Sequence, residues 1–262
     1  MSEAADRRVA LVTGGTSGIG LAVTRSLARG GARVFLCARD EGAVARTVKE
    51  LREAGLDVDG ARCDVRSTED TANLVRAARE RFGPIGILVN NAGRGGGGVT
   101  AEIPDEVWLD VVDTNLNGAF RVTRAVLADG GMLQAGRGRI VNIASTGGKQ
   151  GVVLGAPYSA SKHGLVGLTK ALGLELAKSG ITVNAVCPGY VETPMAVGVR
   201  QRYAAFWGVT EDEVLERFQA KIPLGRYSTP EEVAAMVDHL VSDAAASVTA
   251  QAINVCGGLG TY

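Results

Sequence analysis

Histidine and cysteine are scarce in this sequence, which has two histidines and four cysteines among 262 residues. These six residues form no C-x-x-C pair and no Cys/His cluster, so the spacing of a zinc site is missing. We therefore expect no metal ion. Each cysteine lies in or beside a short apolar run, which predicts free thiols packed as small hydrophobic side chains in a reducing, cytoplasmic compartment. The cysteines are Cys37, Cys63, Cys187 and Cys256.

An excess of one charge and a long apolar run are also missing. The sequence has 28 basic residues (lysine and arginine) and 28 acidic residues (aspartate and glutamate), so the formal net charge is zero. Nucleic-acid-binding domains usually carry a basic excess, and we expect no such partner. No apolar run approaches about 18 residues, and no apolar signal-peptide core precedes the first strand pattern, so we expect no membrane association. The 46% hydrophobic content is enough for a sizeable core.

Short β-branched runs alternate with longer amphipathic segments along the chain. Apolar runs without alternation are typical of strands covered on both faces, and strands that alternate with helices indicate a parallel sheet. We predict an α/β fold in one domain over 1–262: a Rossmann-like, doubly wound, seven-stranded parallel sheet of order 3-2-1-4-5-6-7 with helices on both faces. The predicted strands are 9–13, 33–38, 61–65, 85–90, 139–144, 182–187 and 251–255; the predicted helices are 18–29, 41–54, 68–82, 105–128, 158–178 and 230–242.

One segment, at about 193–220, departs from this alternation. It is helix-prone, comparatively rich in aromatic residues, and follows a predicted strand, so it begins at the ligand-binding edge of the sheet. We interpret it as a helical substrate lid. The alternative is an additional packing helix.

A glycine-rich turn follows the first predicted strand and precedes the first predicted helix. Gly14, Gly18 and Gly20 have the spacing G-x-x-x-G-x-G, and a Cβ there would obstruct a pyrophosphate approaching the backbone. The helix N-terminus favours that negative charge. A Walker loop would end in Gly-Lys-Ser/Thr, so the turn predicts a dinucleotide site. Its residues are Thr13, Gly14, Thr16, Ser17, Gly18, Ile19 and Gly20.

The tip of the second predicted strand indicates which nicotinamide dinucleotide binds. A site for the unphosphorylated form usually has Asp or Glu there, which binds the adenine ribose hydroxyls. This sequence has Arg39, whose guanidinium suits a 2′-phosphate. Asp40 follows directly and would serve as the ribose-binding acid if the strand ended later. We favour NADPH as the cofactor.

The ends of the third and fourth predicted strands add candidate cofactor contacts. Asp64 could hydrogen-bond the adenine amino group, and an asparagine pair at 90–91 could tie strand-end backbone groups together beneath the cofactor. Gly93 leaves room for the adenine side. The alternative is that both stretches only form turns. The candidates are Asp64, Val65, Asn91, Ala92 and Gly93.

Tyr158 and Lys162 stand four residues apart in a predicted helix, so they share one face. The reference pKa of a phenol, about 10, is too high for efficient proton transfer at neutral pH. A lysine ammonium about 4 Å away would favour the phenolate by about 4 kcal/mol at an effective dielectric constant of about 20. Ser145 follows the fifth predicted strand and could hydrogen-bond a carbonyl at the same edge. These residues predict an acid whose pKa is tuned by an ammonium group.

With these residues placed, the sequence resembles the short-chain dehydrogenases/reductases over essentially its whole length. The resemblance implies that Tyr158 donates a proton, that Lys162 lowers the tyrosine pKa and binds the nicotinamide ribose, and that Ser145 orients the carbonyl. It also implies that Asn115 holds a water in a proton relay and that hydride leaves the B face of the reduced ring. The residues it places around the nicotinamide are Pro188, Gly189, Val191 and Thr193.

A narrower resemblance is to bacterial aromatic (type II) polyketide ketoreductases, as in the actinorhodin pathway. It is carried by the stretches 91–94 (NAGR), 145–152 (STGGKQGV), 156–164 (APYSASKHG) and 254–260 (NVCGGLG). It implies NADPH-dependent reduction of one ketone, typically at C9, of a poly-β-ketone bound to an acyl carrier protein. Two alternatives stay open: a 3-oxoacyl-carrier-protein reductase of the fatty-acid type, and a dinucleotide-sensing regulatory protein without turnover. Proteins of the second kind usually lose the tyrosine or the lysine, and this sequence keeps both.

Residues near the expected pocket mouth are candidates for substrate and carrier contacts. Arg66 and Arg94 could anchor the phosphate of a carrier protein's phosphopantetheine arm, since an arginine fork suits that group. Gly95 stands where an aromatic-polyketide relative has proline, in a loop that borders the pocket. The family usually forms tetramers of 222 symmetry, so a homotetramer is expected. The candidates are Arg66, Arg94, Gly95, Gly96, Thr146, Gln150, Val152 and Tyr203.

Overall fold

A computed structural model describes residues 8–262, in which seven strands alternate with helices. Residues 1–7 lie outside the described residues. Two predictions concern them: the single domain over 1–262 and the absence of a signal peptide. The strands are β1 (Val9–Thr13), β2 (Arg33–Ala38), β3 (Val58–Arg62), β4 (Ile85–Asn90), β5 (Gly138–Ile143), β6 (Ile181–Pro188) and β7 (Ala252–Val255). The helices are α1 (Gly18–Arg29), α2 (Glu41–Glu53), α3 (Thr68–Phe82), α4 (Asp105–Val112), α5 (Gly118–Asp129), α6 (Met132–Ala135), α7 (Ala156–Glu175), α8 (Pro194–Trp207), α9 (Glu211–Gln219) and α10 (Pro230–Val241).

The strands form one sheet of order β3-β2-β1-β4-β5-β6-β7, and every neighbouring pair is parallel. This confirms the predicted topology. The strand order reverses between β1 and β4, and the loops that leave the two strands therefore turn to opposite sides of the sheet. Ligands of such sheets bind in the crevice between those loops.

Successive side chains of each strand enter two different cores. In β1, Ala10 and Val12 pack with apolar residues of α1, α2 and α10 on one face, whereas Leu11 packs with residues of α3 and α5 on the other. Both faces are therefore covered, which explains why the strands read as apolar runs without alternation. The four cysteines are buried free thiols.

Several predicted boundaries are wrong, and the largest differences are in three elements. β3 ends at Arg62 rather than at 65, because the Asp64 backbone N–H already bonds to the Asp70 carboxylate at 2.9 Å in a turn that leads to α3. α7 begins at Ala156, two residues early, since Pro157 is favourable in a first helical turn. The predicted helix over 105–128 is interrupted by a π-helical turn at Asp113–Asn117, between α4 and α5.

The lid segment, defined here as residues 193–220, contains two helices with their own small core. α8 ends at Gly208, whose backbone is left-handed (φ 65°), and α9 begins with a capping box between Thr210 and Glu213. Aromatic rings hold the segment to its surroundings, with Tyr190 stacked on Phe218 at 4.6 Å between ring centroids. The segment is thus a packed unit at the ligand-binding edge.

Two further properties apply to residues 8–262. None of the helices there is both long enough and apolar enough to span a bilayer. Within the same range, no group of three or more His, Cys, Asp or Glu side chains is placed to hold a metal ion.

Candidate active site

The tyrosine and lysine of α7 meet the end of β5. Lys162 is only 5% exposed, and its Nζ donates a hydrogen bond of 2.8 Å to the carbonyl oxygen of Ile143. The same Nζ lies 5.8 Å from the centroid of the Tyr158 ring. The two side chains therefore share one helix face, as predicted from their spacing. The lysine is anchored to the sheet rather than to the phenol.

Ser145 stands next to this pair. It follows β5 in extended backbone conformation, and its Oγ accepts the N–H of Gly147 at 3.0 Å. Burial raises the pKa of the Tyr158 phenol, and the interaction with Ser145 only partly offsets that rise. Burial therefore favours the neutral, proton-donating form of Tyr158.

The charge of Lys162 depends on pH in an accessible range. Burial lowers the pKa of Lys162 to about 8. The predicted effect of an ammonium group on Tyr158 is therefore restricted to pH values below that value. Burial of both groups opposes it, as expected from the loss of hydration on bringing the pair together.

Asn115 lies in the π-helical turn, as functional residues of helices often do. Its Oδ1 accepts the Arg94 N–H at 2.8 Å, and its Nδ2 donates to the Arg94 carbonyl and to Ser161 Oγ, both at 3.0 Å. The side chain thus ties the loop after β4 to α7, beside Lys162. Its Oδ1 keeps one lone pair for the predicted water.

The glycine-rich turn is closely packed. A Cβ on Gly20 would lie 2.1 Å from the Gly14 carbonyl oxygen, and Gly14 itself has a left-handed backbone (φ 65°). Ser17 occupies the N-cap of α1 without a side-chain cap, and no acidic residue stands in the first turn. The first N–H groups of α1 are therefore open to an anion, which fits a dinucleotide pyrophosphate.

The asparagine after β4 holds this turn in place. Asn91 Nδ2 donates to the carbonyls of Thr13 and Gly14, both at 3.0 Å. In return, Thr13 Oγ1 accepts the N–H groups of Asn91 and Ala92, also at 3.0 Å. The predicted tie between strand ends is therefore present, and it links β1 to β4 at the crevice.

Arg39 and Asp40 have different roles at the tip of β2. The Asp40 carboxylate accepts the Ala43 N–H at 2.9 Å and so caps α2. This capping role competes with binding of a ribose by Asp40. Arg39 is exposed, and within residues 8–262 it has no hydrogen bond or ion pair. Its guanidinium is therefore available for a 2′-phosphate.

An ion-pair network joins the adenine side to the pocket rim. Arg66 contacts Asp64 at 2.6 Å and Asp110 at 2.7 Å, and Arg94 also pairs with Asp110. The hydrogen bond from Arg66 lowers the pKa of Asp64 to about 2. Asp64 therefore shares its carboxylate between Arg66 and any adenine contact, with Val65 buried behind it.

The residues predicted around the nicotinamide lie between β6 and α8. Gly189 N–H donates to the Val255 carbonyl at 3.0 Å, just past Pro188 at the end of β6. Val191 is buried and forms a bridge with Ser228. Thr193 caps α8 and lies 3.2 Å from the position of a Cβ on Gly18. The lid segment thus begins against the glycine-rich turn.

The remaining predicted rim residues differ in their contacts. Tyr203 donates a hydrogen bond to the Val153 carbonyl, which joins the lid segment to the loop before α7. Thr146 is buried beside Ser145, and Val152 packs near Gly147 and Gly155. Gln150 is exposed, and Gly96 packs against Val111.

Two residues of this rim were missed from the sequence. Asp110 forms ion pairs with both rim arginines, and Arg202 lies over Gly95, where a Cβ would be 3.1 Å from Arg202 Nη2. Asp110 reaches Arg66 across 44 sequence positions, for which the sequence has no local signal. For Arg202, its place beside the predicted Tyr203 was the available signal.

Several named proteins are similar in sequence to this chain over most of its length. A ketoacyl reductase of Streptomyces coelicolor is 65% identical over 257 residues, covering 98% of each chain. A granaticin polyketide synthase ketoacyl reductase of Streptomyces violaceoruber is 66% identical over 258 residues, covering 98% of this chain and 95% of its own. By contrast, a 3-oxoacyl-[acyl-carrier-protein] reductase of Vibrio cholerae is 36% identical over 252 residues, covering 96% of this chain and 97% of its own.

A solved structure and a family model agree with these relatives. A crystal structure of a variant actinorhodin polyketide ketoreductase with NADPH superposes with a TM-score of 0.96 at 64% identity, covering 98% of each chain. The family model described as short chain dehydrogenase matches residues 8–204. That range holds the glycine-rich turn, Ser145 and the Tyr158–Lys162 pair. The chain belongs to the short-chain dehydrogenase family.

Proposed function

We propose that this protein is an NADPH-dependent ketoreductase that reduces one ketone, at C9, of an aromatic polyketide intermediate bound to a carrier protein. The observation that carries the proposal is Ser145, Tyr158 and Lys162 gathered at the crevice beside the glycine-rich turn. The unpaired Arg39 supports the phosphorylated dinucleotide. The product is a secondary alcohol.

The geometry supports a task for each residue in this proposal. When bound, NADPH supplies a hydride to the carbonyl carbon. Tyr158 donates its phenolic proton to the carbonyl oxygen, so the C=O double bond becomes a C–O single bond with one new C–H bond and one new O–H bond. Ser145 hydrogen-bonds the phenolic oxygen and stabilises the phenolate that remains. Lys162, fixed by Ile143, would hold the nicotinamide ribose, and its ammonium would favour that phenolate.

The relatives support a polyketide rather than a fatty-acid substrate. Proteins named for polyketide pathways share about two thirds of their residues with this chain, against 36% for the fatty-acid-type reductase. The lid segment supports the same choice, because Tyr203 and Arg202 bring it over the loops that border the pocket. We propose that residues 193–220 form the substrate lid of a single domain.

The test is consumption of NADPH with trans-1-decalone, a bicyclic ketone, beside a linear β-ketoester. We expect preference for the bicyclic ketone and for NADPH over NADH. Tyr158→Phe should lower turnover by about 10²- to 10⁴-fold, the usual contribution of a general acid, with NADPH binding retained.

Other outcomes would favour the alternatives. Preference for the linear ester would indicate a 3-oxoacyl-carrier-protein reductase of the fatty-acid type. NADPH binding without turnover of either ketone would indicate the dinucleotide-sensing protein. Equal turnover by wild type and Tyr158→Phe would refute the assignment of Tyr158 as the acid.

The proposed macromolecular partner is an acyl carrier protein that bears a poly-β-ketone. Arg66 and Arg94 remain its predicted contacts. Their two positive charges are matched by Asp64 and Asp110, so any attraction to an acidic carrier is weakened at this rim. A rise in KM for carrier-bound substrate in Arg66→Ala and Arg94→Ala would support the contact, and unchanged KM would refute it.

We also infer a cytoplasmic homotetramer. The four free thiols favour a reducing compartment. On α7, the exposed residues at 160, 163, 167, 171 and 174 lie on one face, where Leu174 is 75% exposed. Leu109 and Phe120, on the neighbouring α4 and α5, are also exposed. An apolar surface of this kind is typical of an interface between subunits.

A further inference from the structure

The guanidinium group of Arg202 lies between the lid segment and the loop after β4. A Cβ on Gly95 would be 3.1 Å from Arg202 Nη2, and a Cβ on Gly198 would be 3.8 Å from Nη1. The adjacent Tyr203 fixes this turn of α8 through its hydrogen bond to the Val153 carbonyl. Arg202 therefore lies beside the loop after β4, on a turn of α8 that the Tyr203 hydrogen bond holds.

This position is close to the reacting groups. Gly95 is two residues beyond Gly93, and a Cβ on Gly93 would lie 3.3 Å from Asn115 Oδ1 and 3.6 Å from Lys162 Nζ. The loop that Arg202 contacts at Gly95 therefore continues directly from residues beside Asn115 and Lys162.

Arg202 differs from the neighbouring arginines in its charge balance. Arg66 and Arg94 are paired with aspartates, and Arg200, two residues away on α8, is paired with Glu192 at 3.0 Å. Over residues 8–262, Arg202 contacts no carboxylate. Its hydrogen-bonding edge is therefore available to a ligand.

We propose that Arg202 binds a 1,3-dicarbonyl unit of the substrate, in its enol or enolate form, next to the ketone that is reduced. The N–H groups of a guanidinium form a planar fork that matches two oxygens on one edge, as in a carboxylate. A β-diketone presents its two oxygens in the same way, and the enolate adds a negative charge. The proposal rests on the proposed function, since it names the feature of a poly-β-ketone that this site selects.

The experiment compares trans-1-decalone with its 2-acetyl derivative, a 1,3-diketone on the same ring system. In Arg202→Gln, KM for the diketone should rise about 10- to 100-fold, as expected for hydrogen bonds to a charged group, with KM for the monoketone nearly unchanged. Arg202→Lys should recover only part of the lost affinity for the diketone, because lysine restores the positive charge but not the planar fork of N–H groups. Arg217→Gln is the matched control, since it removes a lid charge that packs on Trp207 instead.

A binding measurement separates this proposal from the proposed function. With NADP⁺ in place of NADPH no hydride is delivered, so the shift of the diketone's enol absorption band gives Kd without turnover. The same loss of affinity in Arg202→Gln is expected there. Equal KM changes for both ketones, or none, would overturn the proposal even if wild type reduces decalone well.

One further outcome would redirect the assignment. If Arg202→Gln raises KM only for thioesters of phosphopantetheine, and not for those of pantetheine without the phosphate, Arg202 binds the carrier's phosphate and the proposal is wrong. If wild type reduces neither ketone but Arg202 still governs diketone affinity, the proposed function fails and the binding site stands.

Discussion

Lys162 combines burial with a fixed hydrogen bond. Its Nζ donates to the Ile143 carbonyl at 2.8 Å, and burial lowers the pKa of Lys162 to about 8. A lowered lysine pKa means that the ammonium is present below that pH and is lost as pH rises through it. The residue that we propose to hold the ribose and to favour the phenolate therefore loses its charge under mildly alkaline conditions.

We expect kcat/KM for NADPH to fall as pH rises through about 8. This constant reports groups of the free enzyme, in which Lys162 has that pKa. Initial rates at saturating ketone between pH 6.5 and 10 would measure it. Lys162→Met should be slow and flat over this range, and thermal unfolding at each pH is the control for loss of folded protein. If kcat/KM for NADPH still falls with rising pH in Lys162→Met, the titrating group is not Lys162.

Arg39 is expected to determine the preference for NADPH. Because Asp40 caps α2, Arg39 is the side chain at this strand tip that is open to a 2′-phosphate. Arg39→Ala should raise KM for NADPH by about 10-fold or more, as charge-assisted hydrogen bonds are lost, and leave KM for NADH unchanged. Lys49→Ala is the control, since it removes an exposed charge from α2. A parallel rise with both cofactors would contradict this role.

At the scale of whole elements, a buried chain of hydrogen bonds joins α5 to α7 through the sheet. Asn90 Nδ2 donates to Thr123 Oγ1 at 2.9 Å and to Asn142 Oδ1 at 2.8 Å. Asn142 Nδ2 in turn donates to Thr169 Oγ1 at 2.8 Å. All four side chains are buried. The chain thus sets the helix that carries Lys162 against the helix that follows Asn115.

We predict that Thr169→Val lowers the free energy of unfolding by about 1–3 kcal/mol, because it leaves the buried Asn142 amide without an acceptor. Thr169→Ser should keep most of the stability. Thr24→Val is the matched control: Thr24 Oγ1 is buried without a hydrogen-bond partner, so its replacement should not destabilise. Urea unfolding measures all three. Equal losses of unfolding free energy in Thr169→Val and Thr24→Val would show that the hydrogen-bond network does not contribute to stability.

The sequence predicted some elements better than others, for physical reasons. β1, β2, β4, α1 and α3 have the predicted bounds, because apolar runs and capping residues are local signals. The π-helical turn at Asp113–Asn117 was not predicted, since it depends on contacts with Arg94 and with Ser161 of α7. The same applies to Asp110, whose partners are set by tertiary packing.

Over the whole molecule, one edge of the sheet collects the site. The carboxyl ends of β1, β2, β4, β5 and β6 bring in the glycine-rich turn, Arg39, the asparagines, Ser145 and Pro188, respectively. That arrangement follows from a parallel sheet, so the sequence predicts it. How residues 193–220 pack at this edge does not follow, because their placement depends on single contacts such as Tyr203 to Val153.

The apolar face of α4, α5 and α7 is exposed, and we expect another subunit to cover it. Gly167 lies at its centre, where a Cβ would meet nothing within 4 Å, so a second helix could approach closely there. The sheet edge at β7 is a second open surface, since its four residues are all partly exposed. Two separate surfaces of this kind are what a 222 tetramer needs.

We therefore expect a tetramer of wild type and a dimer of Leu174→Asp. The substitution places a charge on the α7 face and leaves the β7 edge intact, so one of the two interfaces should be lost. Light scattering at micromolar concentration measures the mass. Leu133→Asp is the control, because Leu133 is 41% exposed on α6, outside both surfaces, and should leave the tetramer unchanged. A monomeric wild type, or a tetrameric Leu174→Asp, would show that this face is not an interface.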